Sequence, residues 1–358
     1  MRKLIMLLLT GLACCAIAEV HASDVLVTAA KPDRLFLIDA ATRSVRAEHK
    51  VAGAEGQIFT TVISADERTV YMLVDRMERL VGVDLASGKE VFRADLSSPS
   101  EQVKCFFALA ATSDGKELIA YELPTRLLSS EYQVEEPRFV VFKTNAGLAA
   151  KPVRTFAAPR RVHMILTRPG GRSFFALGFD LYEYDIASGK LISTRGIQKW
   201  NIPNHAQPDL LAFWPVTEPT GIFTSPVYTA VGAGSDAVPT TALMSLDLKS
   251  GALHYEDFEP MSALIFSTVL SPDKRHAYGV YTTLSSIDVN GHKLEKRVPL
   301  DHTFYDVNVS SDGREIYLGG TNCDVGFYDS TTLAKKAILK LPGCGDQTLS
   351  TLRVIHGQ

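Results

Sequence analysis

The sequence has 358 residues, of which 46% are hydrophobic and 22% are charged, and its formal net charge is −3. No basic patch or tail accompanies this nearly balanced charge, which argues against nucleic acid as a partner. A chain of this length can still form one domain if it is built of repeats, because each repeat packs only against its neighbours.

The first 22 residues have the three regions of a secretory signal peptide. Arg2 and Lys3 form a basic start, residues 4–17 form an apolar core, and residues 20–22 (VHA) resemble a cleavage site before Ser23. The apolar core is too short for a permanent transmembrane helix, and no second hydrophobic span follows it. We therefore predict that residues 1–22 are removed and that residues 23–358 form a single exported domain. That domain is expected to be soluble, without a membrane partner, and periplasmic in a bacterium.

Two turn signatures recur along the mature chain, each after an apolar strand. One contains Asp with Ser, Thr or Gly and lies at Asp39, Asp84, Asp185, Asp247, Asp288 and Asp329, with Lys143 in the place of Asp in one degenerate unit. The other is of the type S-x-D-G and begins at Ser64, Thr112, Arg168, Ser271 and Ser310. Such clusters supply the backbone conformations that tight antiparallel hairpins need.

The clearest unit is residues 307–343, which contain four short apolar strands joined by three turns. The bare unit recurs about every 41–45 residues, which is the period of a propeller blade. Six regular units and the degenerate one predict an all-β fold, a seven-bladed β-propeller of four-stranded antiparallel blades. Residues 25–28 and 348–355 read as single strands at the two ends, and we predict that they close the ring by sharing a blade.

Two units are lengthened by insertions, at residues 123–137 and within residues 195–240. Both insertions fall on the face that carries the blade-to-blade connections and the loops between second and third strands, which we call the insertion face. The short turns lie on the opposite face, which we call the turn face. Long loops gathered on one face are typical of a binding surface.

Five aromatic residues near the insertion face are candidates for a substrate pocket or a subunit interface: Tyr132, Trp200, Tyr228, Phe266 and Tyr305. Trp200 and Tyr228 stand among Pro, Asn and Gly, which favours exposed interface anchors. Phe266 and Tyr305 fit core packing equally well, and Trp214 fits the core of a blade better than an interface.

Three cysteines remain after removal of the leader: Cys105, Cys323 and Cys344. Cys323 and Cys344 are expected on the same face of the same blade, so we predict a disulfide between them, with Cys105 left reduced in an inner strand. The sequence contains neither C-x-x-C-H nor H-E-x-x-H. We therefore expect no covalently bound haem, no metal site and no catalytic residue in this chain.

Four segments resemble the β subunit of quinohemoprotein amine dehydrogenase. They are IQKWNIPNHAQPDLLAFW, PVYTA, FSTVLSP and FYDVNVSSDGREIYLGG. The resemblance runs in register over the whole mature chain, and the methylamine dehydrogenase heavy chain is a more distant relative of the same architecture.

The resemblance implies a periplasmic heterotrimer that oxidises primary amines to aldehydes and ammonia. In such an enzyme an α subunit carries two c-type haems and a small γ subunit carries a cysteine tryptophylquinone. The propeller carries no redox centre, and it covers the quinone and helps to shape the amine pocket. The alternative is a stand-alone periplasmic propeller, related to surface-layer (YVTN-like) repeat proteins, that binds a protein or ligand without catalysis.

Overall fold

The computed structural model describes residues 24–343, 345–347 and 351–356. Within these ranges the chain is almost entirely β, with three short 3-10 turns at Asp75–Met77, Gly147–Ala149 and Gly234–Asp236. The predicted signal peptide lies outside the described residues.

Seven antiparallel sheets form the blades of a propeller, so the predicted fold is confirmed for the part of the chain that the structure describes. Blade 1 contains β1 (Asp24–Ala30), β2 (Arg34–Asp39), β3 (Ser44–Lys50) and the last strand, β30 (Arg353–His356); blade 2 contains β4 (Phe59–Ile63), β5 (Thr69–Val74), β6 (Arg79–Asp84) and β7 (Glu90–Asp95). Blade 3 contains β8 (Glu101–Lys104), β9 (Leu109–Ala111), β10 (Glu117–Leu127), β11 (Tyr132–Val134), β12 (Arg138–Lys143) and β13 (Arg154–Ala157).

The remaining four blades each have four strands in chain order. Blade 4 contains β14 (Met164–Thr167), β15 (Ser173–Leu177), β16 (Asp180–Asp185) and β17 (Leu191–Gly196); blade 5 contains β18 (Asp209–Leu210), β19 (Ile222–Val231), β20 (Val238–Asp247) and β21 (Leu253–Pro260). Blade 6 contains β22 (Ile265–Leu270), β23 (His276–Tyr281), β24 (Thr283–Asp288) and β25 (Lys293–Pro299); blade 7 contains β26 (Phe304–Val309), β27 (Glu315–Gly320), β28 (Asp324–Asp329) and β29 (Lys335–Lys340).

The two ends of the chain close the ring in blade 1. Strand β30 pairs antiparallel with β1, with Val25 opposite Ile355, and the strand order is β3-β2-β1-β30. Strand β30 therefore takes the inner position that the first strand occupies in blades 2 and 4 to 7. This pairing confirms that the two ends share a blade, and it removes an open edge from β1.

The recurring turn residues have a direct hydrogen-bonding role. In blade 7 the Ser310 hydroxyl donates to Asp312 over 2.7 Å and accepts from the Glu315 N–H over 2.9 Å. The Asp329 carboxylate accepts from the Thr332 N–H over 2.8 Å, and this bond is the main reason that its pKa falls to about 2. In the turns that contain it, an ionised Asp thus accepts a hydrogen bond from a backbone N–H, which explains why the signature recurs.

Blade 3 departs from the signature because its strand β12 ends on an ion pair. Lys143 lies directly opposite Glu117 and donates to it over 2.6 Å. The prediction that Cys105 lies in the inner strand of this blade is wrong. The inner strand is β9, whereas β8 is a separate strand that pairs with the far end of β10, and Cys105 lies between the two.

Candidate functional site at the mouth of the central channel

Each inner strand runs from the insertion face towards the turn face, so the first residues of β9, β14, β22 and β26 surround the channel mouth on the insertion face. Two elaborations rise from this face. Strand β10 continues past its pairing with β12 and binds β11 and β8, forming an arm of residues 101–104 and 123–134. Strands β19 and β20 form a ten-residue hairpin in blade 5.

Residues 211–218, between β18 and β19, fill the centre of the ring. Phe213 contacts the Phe107 ring from blade 3, and Trp214 contacts the Tyr305 ring from blade 7, with ring centroids 5.9 and 5.7 Å apart. The carbonyl of Pro215 accepts a hydrogen bond from Arg353 of blade 1 over 2.6 Å. This segment therefore leaves its own blade and touches blades on opposite sides of the channel.

An aromatic bridge lies across the mouth of the channel. Its members come from blades 3, 6 and 7 and from the central segment, and they are Phe106, Phe107, Phe213, Trp214, Phe266, Tyr281 and Tyr305. The Phe266 and Tyr281 rings are stacked with centroids 3.8 Å apart, and Phe266 and Tyr305 are stacked at 5.0 Å. Ring pairs at these separations add stabilisation beyond their buried area.

Two strained residues hold one end of the bridge. Phe107 and Thr60 have φ values of 61° and 47°, in the left-handed region that aromatic and β-branched residues rarely adopt. The Thr60 hydroxyl donates to the Phe107 carbonyl over 3.3 Å, so the two strained positions support each other. Strain of this kind is concentrated at functional sites.

An open apolar pocket of about 480 Å³ lies beside the bridge, and we call it the mouth pocket. It is lined by Phe106, Tyr121, Leu123, Arg160, Arg161, Val162, His163 and Phe213. Burial lowers the pKa of His163 to about 4, so its ring is neutral at physiological pH. Its Nε2 is buried and has no hydrogen-bond partner among the described residues.

A polar layer lies deeper in the channel. Arg353 is buried, donates to the Thr61 carbonyl over 2.9 Å and forms an ion pair with Glu218 over 2.7 Å. Asp306 is fully buried and accepts a hydrogen bond from the Leu352 N–H, while its second carboxyl oxygen has no partner among the described residues. Burial raises the pKa of Asp306 to about 8, so the group is mostly protonated at neutral pH.

The structure does not gather the five predicted aromatic residues in one place. Phe266 and Tyr305 are half-buried members of the aromatic bridge. Tyr132 is 78% exposed near the tip of the arm. The half-buried Tyr228 donates to the Ile265 carbonyl over 2.6 Å and accepts from the Ile265 N–H over 2.7 Å, linking blade 5 to blade 6.

Trp200 is not an exposed loop residue, so its expected placement is wrong. It is 7% exposed, its indole N–H donates to the Ala206 carbonyl over 2.8 Å, and its ring packs edge-on against Tyr255. The loop that carries it folds back onto blade 5, where an isolated bridge joins His205 to Val231. The composition of the loop indicated a turn-rich segment but could not show that this segment covers its own tryptophan.

Sequence reasoning missed Phe106, Phe213 and Tyr281, and it placed Trp214 in a blade core rather than in the channel. The adjacent aromatic pairs Phe106–Phe107 and Phe213–Trp214 were the available signal, because two neighbouring residues of a strand cannot both face the same side of a sheet. Both pairs lie outside the named strands.

Among the described residues Cys105 is a free, fully buried thiol, and burial raises its pKa. Cys344 lies outside the described residues, so its pairing with Cys323 stays a prediction. In the described ranges no group of three or more His, Cys, Asp or Glu residues is arranged to hold a metal ion. No helix there is long and apolar enough to cross a membrane.

No family model and no curated protein matches the sequence. Solved structures do match the fold. A functionally unknown protein from Desulfotomaculum acetoxidans DSM 771 aligns with a TM-score of 0.61 and 12% identity, over 94% of this chain and all of that one. Hydrazine synthase from Kuenenia stuttgartiensis aligns with a TM-score of 0.54 and 15% identity, over 87% of this chain and 90% of that one.

Dihydro-heme d1 dehydrogenase NirN, solved in complex with DHE, aligns with a TM-score of 0.55 and 16% identity, over 92% of this chain and 74% of that one. At these identities the likenesses establish the propeller fold and nothing further.

Proposed function

We propose that this chain is the propeller subunit of a periplasmic quinohemoprotein amine dehydrogenase, an enzyme that converts primary amines to aldehydes and ammonia. In this assignment the chain carries no redox centre. The cysteine tryptophylquinone belongs to a γ subunit and the two c-type haems belong to an α subunit. The propeller holds these subunits together and forms one wall of the amine pocket.

The observation that supports this proposal is the meeting of three resembling segments at one place. The segment ending in AFW supplies Phe213 and Trp214, FSTVLSP supplies Phe266, and FYDVN supplies Tyr305. These segments are distant in the sequence, yet their side chains form the aromatic bridge. A resemblance confined to blade turns would support any propeller, whereas this one coincides with a specific surface.

The bridge suits the role of a cover over a partner's reaction centre. Its rings lie across the channel on the insertion face, where they would limit the entry of water along the axis. A bound quinone supplies the electrophile and accepts two electrons from the amine. The residues of this chain bind the partner, exclude water and define the apolar side of the pocket.

If open reading frames beside this gene encode a dihaem α subunit and a short γ subunit, co-expression of the three chains tests the proposal. A ternary complex is expected on gel filtration, and it should reduce an artificial electron acceptor in the presence of a primary amine. Each turnover consumes one amine and one water and releases one aldehyde, one ammonia, two protons and two electrons to the acceptor. The isolated chain should be colourless and inactive.

Three results would contradict the proposal. One is a covalent chromophore on the isolated chain, and another is amine oxidation by the isolated chain. The third is failure of the chain to join a complex that α and γ form without it. That last result, combined with binding of an unrelated protein or ligand, would favour the stand-alone propeller.

A further inference from the structure

The mouth pocket is surrounded by exposed apolar groups. Phe106 and Leu123 line it and are 41% and 36% exposed, and Phe179 beside it is 43% exposed. Leu123 also begins the arm, which carries Tyr132 and Val134 outwards with exposures of 78% and 68%. Scattered exposed apolar residues are ordinary, but a pocket continuous with an exposed apolar strand marks an interaction surface.

The walls of the pocket are rigidly held. The Tyr121 hydroxyl donates to the Pro159 carbonyl over 3.0 Å, and the His163 N–H donates to the Leu177 carbonyl over 3.0 Å. Arg161 has a φ of 67°, and Phe107, next to Phe106, is also in the left-handed region. Such a pocket is formed before anything binds, which lowers the entropic cost of association.

The rim of the pocket carries an excess of positive charge. The Arg161 guanidinium lies over the Phe179 ring at 4.3 Å and forms no ion pair with the described residues. Arg160 pairs with Glu136, but that carboxylate is 80% exposed, so the pair contributes little and exchanges readily. A partner that places a carboxylate here gains a charge-assisted hydrogen bond at low desolvation cost.

From these features we infer that the mouth pocket is the principal anchor site for the quinone-bearing γ subunit and receives one of its large apolar side chains, flanked in that subunit by Asp or Glu. The inference rests on the proposed function, and it names the place and the chemistry of the contact. A buried aromatic or aliphatic anchor surrounded by arginine is the usual composition of an interface hot spot. The arm then contacts the partner beside the anchor.

Two variants and two matched controls test the inference. Phe106→Ala removes a wall of the pocket, and Arg161→Glu reverses the charge of its rim. The control for the apolar change is Val91→Ala on the outer strand β7, where Val91 is 44% exposed. The control for the charge reversal is Arg314→Glu on the turn face, where the Arg314 side chain is 84% exposed. Binding of each purified chain to the α–γ complex is measured by titration, and thermal melting checks that each chain is folded.

Both pocket variants should bind at least tenfold more weakly than the wild type, and both controls should stay within about twofold. Added salt should weaken wild-type binding more than that of Arg161→Glu, because the rim contact is screened. If the wild type binds and both pocket variants bind equally well, the anchor site is wrong, but the proposed function still stands. Absence of wild-type binding would overturn the proposed function itself.

Discussion

The Asp306 carboxyl group of blade 7 accepts a hydrogen bond from the backbone N–H of Leu352, one residue before the closing strand β30. Asp306 is fully buried, and its pKa is raised to about 8 mainly by burial. The contact joins the last complete blade to the segment that closes the ring. The closure of the ring therefore includes a contact to a carboxyl group that burial keeps mostly protonated at neutral pH.

Replacing Asp306 should change how stability depends on pH. An unfolded Asp ionises near pH ~3.9, whereas folded Asp306 ionises near 8. The protonated group contributes its full stability below pH ~4, and this contribution is lost as the pH rises towards 8. Asp306→Asn removes the ionisation, so its free energy of unfolding should exceed that of the wild type by an amount that grows from pH 5 to 8. Urea titrations at four pH values measure this difference.

Asp273→Asn is the control for this pH series. A hydrogen bond from Ser271 is the main cause that lowers the pKa of Asp273 to about 2. Its contribution is present above pH ~4 and is lost only as the pH falls towards 2. The control should therefore be less stable than the wild type by a constant amount from pH 5 to 8. A constant difference for Asp306→Asn as well would contradict the assigned protonation.

Trp200→Ala should destabilise the isolated propeller. The ring is buried against Tyr255, and removal of a large aromatic side chain from a core costs about 3–5 kcal/mol. Tyr132→Ala changes an exposed ring near the tip of the arm and should stay within about 0.5 kcal/mol. Chemical denaturation of both variants measures the two values, and equal stabilities would contradict the burial of Trp200.

Arg353→Ala should loosen the contact between blade 1, blade 2 and the central segment. The guanidinium donates to the Thr61 and Pro215 carbonyls and to Glu218, and hydrogen bonds to charged groups contribute about 1.5–3 kcal/mol. We therefore expect a loss of at least about 2 kcal/mol in the free energy of unfolding. Arg314→Ala, on the exposed turn face, is the control and should be nearly neutral.

Alkylation of a protein of residues 23–358 tests the cysteine prediction. If Cys323 and Cys344 are bridged, unfolded and non-reduced protein should take one label, at Cys105. In the folded state Cys105 should be labelled slowly, because its thiol is fully buried and its pKa is raised. Mass spectrometry counts the labels, and three labels without reduction would exclude the disulfide.

The blades were predictable because their signals are local. Ser310 with Asp312 and Asp329 with Thr332 make contacts within a few residues. The Asp329 type of turn recurs in all six regular units, and the Ser310 type recurs in blades 2, 3 and 6. The channel mouth was not predictable in the same way. Trp214 meets Tyr305 across the ring, and no local pattern shows that residues 211–218 leave their blade.

Because the inner strand of blade 1 is β30, the ring stays open until residues 353–356 have been synthesised. Six blades can form during synthesis, but the edge of β1 waits for residues 353–356. An unpaired edge of this kind also accepts a strand from a second molecule. Pairing of residues 353–356 with β1 therefore competes with association of nascent chains. Exposure of the β1 edge lasts from the synthesis of β1 to that of β30, and that interval is when chaperones would be needed.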